Sequence, residues 1–273
     1  MQKSFHTPGP ISLYVEIGAG GLTVHTDDVT ETVVDVNGRN ADEVLVEQRG
    51  DEVVIVARQR GSSFFGRSDD LDVHVSAPSD SRLTSKLGSA DVRVMGRLGE
   101  SMLRSGSGDI TLEDVTADLY VETGSGDLGV DEVRGDLEVK SGSGDITVDR
   151  VQGSTTISTG SGDARIGTST GGVQVKSGSG DLTVDEAMHD VGLSTASGDL
   201  VVGEVHRGQV AAKNVSGDIR IGVPAGVPVW TDISTFTGSV RSNLQGAGQP
   251  EEGQDYIELR AKTVSGDILL EQL

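Results

Sequence analysis

Ser105-Gly106-Ser107-Gly108-Asp109 returns as Thr123-Gly124-Ser125-Gly126-Asp127, Ser141-Gly142-Ser143-Gly144-Asp145, Thr159-Gly160-Ser161-Gly162-Asp163 and Ser177-Gly178-Ser179-Gly180-Asp181. A degraded copy follows as Thr195-Ala196-Ser197-Gly198-Asp199. The aspartates fall at every eighteenth position throughout, and Asp91 in Gly88-Ser89-Ala90-Asp91 extends the series upstream. Beyond Asp199 the steps loosen: Asp218 lies nineteen positions on, Ser239 twenty-one further, and Asp267 another twenty-eight. A fixed period of this length marks an array of stacked units.

Each period splits into two halves of nine. Asp109-Ile110-Thr111-Leu112 is matched by Asp145-Ile146-Thr147-Val148 and Asp181-Leu182-Thr183-Val184. The other half reads Asp118-Leu119-Tyr120-Val121, Asp136-Leu137-Glu138-Val139 and Gly172-Val173-Gln174-Val175. Polar and apolar residues alternate in both, as in a strand with one buried face. A short strand and a turn use up each half, so no helix fits. One such coil cannot cover its own apolar face, but stacked coils can.

The inward columns are Ile110, Leu128, Ile146, Ala164, Leu182, Leu200, Ile219 and Leu112, Val130, Val148, Ile166, Val184, Val202, Ile221. Leu119, Leu137, Val173, Val191 and Val121, Val139, Ile157, Val175, Leu193 supply the facing wall. Full burial of each contributes roughly 1.5–3 kcal/mol. The prediction is an all-β chain: a parallel β-solenoid of 18-residue coils, each with two nine-residue half-repeats, capped at both ends. A three-sided helix of the same period would show a subperiod of six. A further column, Val115, Val133, Val151 and Val205, is expected to round one edge.

The domain reading is one continuous domain in three stretches. Residues 1–90 form an N-terminal β capping region with irregular coils, 91–222 the regular solenoid, and 223–273 the C-terminal coils and cap. Val44–Val46 and Val53–Val56 around Gly50-Asp51 read as a hairpin. After a loop over 245–254, residues 256–270 are expected to supply the final coil, with Trp230 plugging that end.

Thr7-Pro8-Gly9-Pro10, the serial Ser-Gly-Ser-Gly-Asp turns and a closing Val264-Ser265-Gly266-Asp267-Ile268 resemble the bacterial "putative adhesin" β-strand-repeat family of actinobacterial type, a domain of unknown function. The resemblance covers nearly the whole chain. It implies a β-solenoid and an envelope-linked or adhesive role, with no catalytic motif to carry across.

Charge and composition narrow the chemistry. With 22 basic and 43 acidic residues the 273-residue chain carries a net charge of −21. That argues against nucleic acid and anionic membrane surfaces as partners. Cysteine is absent, which excludes disulfides and thiol chemistry. No segment has the length and apolarity of a signal peptide or membrane span, so the expectation is a soluble cytoplasmic protein without membrane insertion.

Stacked at about 4.8 Å, neighbouring carboxylates of the aspartate column would repel by ~0.9 kcal/mol even in water. Either turn hydrogen bonds offset this, expected within each Asp's own turn, or calcium does, as in a β-roll. Asp here follows Gly and precedes the apolar residue directly, so both spacings are one residue shorter than in the β-roll motif. Hydrogen bonding is the favoured reading, and no cofactor is expected. Carboxylate pairs such as Asp131-Glu132, Asp185-Glu186 and Asp69-Asp70 recur in like surroundings, whereas acid–base catalysis needs unlike ones. His189 and His206, 17 positions apart, could meet on adjacent coils as a weak metal pair, but solvent-exposed turn positions are the favoured reading.

The leading function is therefore a non-catalytic scaffold or interaction protein, not an enzyme. The alternatives are a calcium-binding β-roll-like adhesin and, last, a polysaccharide-acting β-helix enzyme. Residues 105–205 hold 19 acidic and five basic side chains, two-thirds of the net charge. Contact with an unknown protein partner, or self-association, is therefore expected at Phe64, Phe65 and Arg67 in a Gly/Ser loop, away from the repeat face.

Overall fold

The computed structural model describes residues 1–57, 70–245 and 255–273. Among them there is no α-helix, only strands, turns and one short 3-10 turn at Ala41–Glu43. The chain divides into two units, Met1–Gly135 and Asp136–Leu273.

In the second unit two parallel ladders realise the nine-residue halves. One joins Ile146–Val151, Ala164–Ser169, Leu182–Ala187, Leu200–Val205 and Ile219–Val223. Its register is the predicted one: Ile146, Ala164, Leu182, Leu200 and Ile219 are successive partners. The other joins Leu137–Ser143, Thr155–Ser161, Val173–Ser179, Val191–Ser194 and Gly208–Lys213. The apolar columns of both walls are buried against one another. Val151, Ala187 and Val205 extend the first ladder beyond a corner: inward positions are the first, third and sixth of each strand, so the alternation breaks where the chain rounds the edge.

The first unit likewise has two parallel walls, with longer strands. Ser12–Asp27 and Arg82–Leu98 run through both walls without a tight turn, paired in parallel from Ser12↔Arg82 to His25↔Met95. Ser101–Ser105 and Leu119–Thr123 continue one wall, Ile110–Val115 and Leu128–Val133 the other. The far side is closed by antiparallel strands. Leu45–Arg49 and Glu52–Val56 form the predicted hairpin, turning at Gly50 with φ 66°. Glu31–Gly38 pairs with Asp70–Pro78, and Gln2–His6 with Glu31–Gly38.

Coil order at the two chain ends departs from sequence order. Ser12–Asp27 lies between Arg82–Leu98 on one side and Glu52–Val56 with Asp70–Pro78 on the other. At the C-terminal side Ile257–Ser265 and Ile268–Gln272 insert between the coil of Gly208–Lys213 and Ile219–Val223 and the coil of Val229–Thr237 and Val240–Ser242. The expectation that residues 256–270 supply the outermost coil is thus corrected: they are last in sequence and penultimate in space. Burial gives the reason. Ile257, Leu259, Ala261 and Ile268 are fully enclosed, whereas the strands Val229–Thr237 and Val240–Ser242 bury no residue. The more apolar coil takes the place with two neighbours, because area removed from water scales with the number of neighbours.

Candidate functional site

The repeated pentapeptide is a turn whose parts have separate duties. Its first residue folds a hydroxyl over its own turn: Gly108 N–H donates to Ser105 Oγ at 3.1 Å, and Thr159 Oγ1 donates to the Ser161 carbonyl at 2.9 Å. Its fourth residue is a glycine at positive φ in Gly144, Gly162, Gly180 and Gly198. Its aspartate reaches one coil on. Asp145 Oδ1 accepts the Asp163 N–H at 2.9 Å, Asp163 that of Asp181 at 2.8 Å, Asp181 that of Asp199 at 2.8 Å, and Asp199 that of Asp218 at 2.7 Å. In the first unit Asp91 and Asp109 receive the N–H groups of Asp109 and Asp127 in the same way.

The expectation of bonds within each Asp's own turn is corrected by one coil. The carboxylate charge is offset by an amide of the neighbouring coil, which makes each aspartate a strut between coils. An aspartate oxygen accepting a backbone N–H is a charge-assisted bond. Asp181→Ala should therefore cost about 1–2 kcal/mol, and Asp181→Asn, which keeps an oxygen, distinctly less. Urea unfolding of the three proteins reads the difference.

The series ends at Asp267, which receives the Ser239 N–H at 2.8 Å. That bond, helped by Arg241 at 4.0 Å, holds its carboxyl below the usual carboxylate range. A carboxylate whose pKa falls on folding stabilises the fold above its unfolded pKa, and the contribution is lost as pH drops through the folded value. Acidification through that lowered value should thus weaken the hold on the coil 229–242. The single tryptophan, Trp230, lies on that coil, and its fluorescence should change before far-ultraviolet circular dichroism does on acid titration.

The outer face of the first unit carries what the repeat consensus hides. Glu16, Lys86, Arg104 and Glu122 are successive partners across four strands, and Thr84, Met102 and Tyr120 form the row beside them, with Tyr14 next to Thr84. Lys86 Nζ stands 5.6 Å from the Tyr14 ring centre and Arg104 Cζ 6.0 Å from that of Tyr120. Arg104 Nε pairs with Glu122 at 3.2 Å, and the Tyr14 hydroxyl donates to Glu16 at 2.8 Å. Met102 is 41% exposed. A groove of about 470 Å³ runs past Glu16, Lys86, Arg104, Ser105 and Glu122.

Tyrosine, methionine and arginine are the residue types enriched where proteins meet. Tyr120 therefore gives the outer face an aromatic anchor beside the exposed Met102. The signal was present, since Thr84, Met102 and Tyr120 share the 18-residue period, as do Lys86, Arg104 and Glu122.

Other expected positions resolve differently. Phe64, Phe65 and Arg67 lie outside the described residues. Trp230 does not plug the end: it faces outward, 53% exposed, with its ring 5.9 Å from Arg260 Cζ. His189 and His206 take separate partners. His189 Nε2 meets Arg207 at 2.9 Å, whereas His206 Nε2 lies 3.1 Å from Glu186 and 3.6 Å from Glu204. Glu186, Glu204 and His206 are the one group among the described residues whose potential ligand atoms all lie within 4.8 Å of one another. The acidic turns are tied across coils by arginine, as in Arg134–Asp114 and Arg165–Asp185, both at 2.7 Å. Among the described residues no helix is long and apolar enough to cross a membrane.

The family model described as Toastrack DUF4097 matches residues 22–271. No curated protein matches the sequence. Among solved structures, the chain is similar to a putative adhesin from Bacteroides fragilis NCTC 9343, at 13% identity and a TM-score of 0.43, over 99% of this chain and 96% of that one. It is also similar to a putative lipid binding protein from Parabacteroides distasonis ATCC 8503, at 12% identity and a TM-score of 0.41, over 98% and 96% of the two chains. A putative cell adhesion protein from Clostridium sporogenes ATCC 15579 is similar at 12% identity and a TM-score of 0.23, over 100% and 99%.

Proposed function

We propose that this chain, which belongs to the Toastrack DUF4097 family, is a non-catalytic β-solenoid that acts by binding another protein through the outer face of its first unit. Two adjoining rows, Tyr14, Thr84, Met102 and Tyr120 beside Glu16, Lys86, Arg104 and Glu122, carry this reading. In a chain of net charge −21 they join two cations, two aromatic rings and a thioether on rigid paired strands. Such a face suits an acidic or mixed protein surface, with arginine and tyrosine as anchors. Rigid presentation on a ladder also limits the entropy lost on binding.

The non-catalytic part rests on the sameness of the repeat. Asp145, Asp163, Asp181 and Asp199 each accept the equivalent amide of the next coil, so these carboxylates share one surrounding rather than the unlike ones that an acid and a base need. The same bonds speak against the β-roll alternative, since each such aspartate already has an oxygen committed to a neighbouring amide.

Two measurements test the proposal. Millimolar calcium, magnesium or a chelator should leave the melting temperature unchanged; a rise of many degrees with calcium alone would favour the β-roll reading. In capture from the native lysate, Lys86→Glu with Arg104→Glu should lose the partners that the parent retains. Phe64→Ser with Phe65→Ser supplies the comparison, since composition also offers that loop as a contact. Loss only in the phenylalanine variant would move the binding face to the loop.

A further inference from the structure

We infer that the outer edge of the coil 229–242 is a self-association face, which seats a second copy of this chain across a two-fold axis. The strand Val229–Thr237 then pairs antiparallel with its own twin.

The first observation is where apolar surface is left over. Of the eight large hydrophobic side chains that are exposed among the described residues, seven lie between Val215 and Leu273. Phe236 is 85% exposed, and Trp230 and Val240 are about half so. Val215 and Val264 take the second position of the turn motif, and Phe236 does so in Thr235-Phe236-Thr237-Gly238-Ser239. The regular coils place Gly142, Gly160 and Gly178 there. An outward glycine column thus becomes an apolar ridge in the last coils, which core packing does not require.

The second is an open edge. Val229–Thr237 pairs with Ile257–Ser265 alone, and Val240–Ser242 with Ile268–Gln272 alone, among the described residues. The Ile257 N–H donates to the Pro228 carbonyl at 3.0 Å. A parallel ladder in that phase turns the N–H and C=O of Thr231, Ile233 and Thr235 away from the core. Exposed edges of this kind are templates for another strand unless charge, proline or cover blunts them. The far side of the first unit ends instead in antiparallel strands, Gln2–His6 and Leu45–Arg49.

The third is charge. Residues 222–245 hold one acid, Asp232, and one base, Arg241, so this coil is neutral in a chain of net charge −21. Asp232 is held by Lys262 at 3.0 Å, and Arg241 stands 4.0 Å from Asp267. Two copies that repel through their acidic repeat faces meet least resistance here.

These observations select a two-fold partner. Thr231, Ile233 and Thr235 are centred on Ile233. An antiparallel pair about Ile233 places these three residues opposite Thr235, Ile233 and Thr231 of the second copy, all in hydrogen-bonded positions. The same register sets Phe236 directly opposite Trp230 of the second copy, in a non-hydrogen-bonded position where side chains approach most closely. The aromatic contact occurs twice by symmetry. A strand about 30 Å long backed by a second sheet about 10 Å away offers a contact of roughly 1,200 Å² in total, at the lower bound for a stable dimer.

Light scattering on a size-exclusion column, loaded over a range of concentrations up to about 100 µM because buried area alone does not set affinity, tests the inference. The parent should elute at twice the mass of one chain. Thr231→Pro removes an edge donor on the side away from the core, and Phe236→Lys puts a charge on the ridge. Each should elute at the mass of a single chain with an unchanged circular dichroism spectrum. Trp230 emission should shift on dilution of the parent and stay constant in Phe236→Lys. A parent that is monomeric throughout overturns the inference, as does a mass that keeps growing with concentration, which signals head-to-tail assembly. A dimer that survives both substitutions but is lost in Phe64→Ser with Phe65→Ser also overturns it. Because none of these variants touches Lys86 or Arg104, failure here leaves the partner-binding face of the first unit standing.

Discussion

Gly180→Ala is expected to destabilise the chain by about 2–4 kcal/mol, a large fraction of the stability of an ordinary domain. Gly180 holds φ at +128°, where an L side chain is strained. The added Cβ would also press into the Gly162 carbonyl of the preceding coil, 2.7 Å from its carbon and inside van der Waals contact with its oxygen. Backbone cannot rotate out of the way as a side chain can, so the coils must separate, and the Gly180 N–H bond to Ser197 weakens with them. Gly129→Ala is the matched comparison. That glycine has open space around its Cβ direction and an ordinary φ, so the change should be neutral within about 0.5 kcal/mol. Equal urea midpoints for the two variants would show that turn geometry does not limit coil stacking.

A larger effect is expected from length. Deleting residues 164–181 removes one whole coil, after which Asp163 precedes Leu182 and the ladders rejoin as Ile146 with Leu182. Every later strand keeps its wall, and Asp163 accepts the Asp199 N–H in place of that of Asp181. Stability in a stacked array is close to a sum over coils and their contacts, so the product should fold cooperatively with a lower midpoint. Deleting only residues 164–172 carries each later strand to the opposite wall. The Ser-Gly-Ser-Gly-Asp turns then face acidic turns such as Asp185-Glu186, and Asp163 loses its amide partner. That protein should show no cooperative unfolding transition. If both deletions melt alike, the full two-strand coil is not the structural unit.

How much of this could be read beforehand follows from the range of the interactions. The period, the parallel pairing and the inward columns are consequences of alternation and spacing, which neighbouring residues express directly. The hairpin at Gly50 was legible for the same reason, since a glycine between two apolar runs is a local signal. The partner of each aspartate was not, because strand spacing brings the next coil's amide as near as its own turn, and only the folded chain distinguishes them. The first-unit face was legible in part: Thr84, Met102 and Tyr120 share the period, but Tyr14 meets Thr84 across a long intervening stretch that the period does not describe.

The coil order at the ends marks the division most clearly. By itself the sequence determined that coils form, how long they are and which side chains point inward, because each is settled within a single period by burial and turn chemistry. Which coil stands last was decided only in the tertiary structure. Residues 229–242 and 257–272 both satisfy the motif, and they compete for one place between neighbours. Ile257, Leu259, Ala261 and Ile268 win it because enclosure on both sides removes more of their apolar area from water. That contest leaves Trp230 and Phe236 at an open edge.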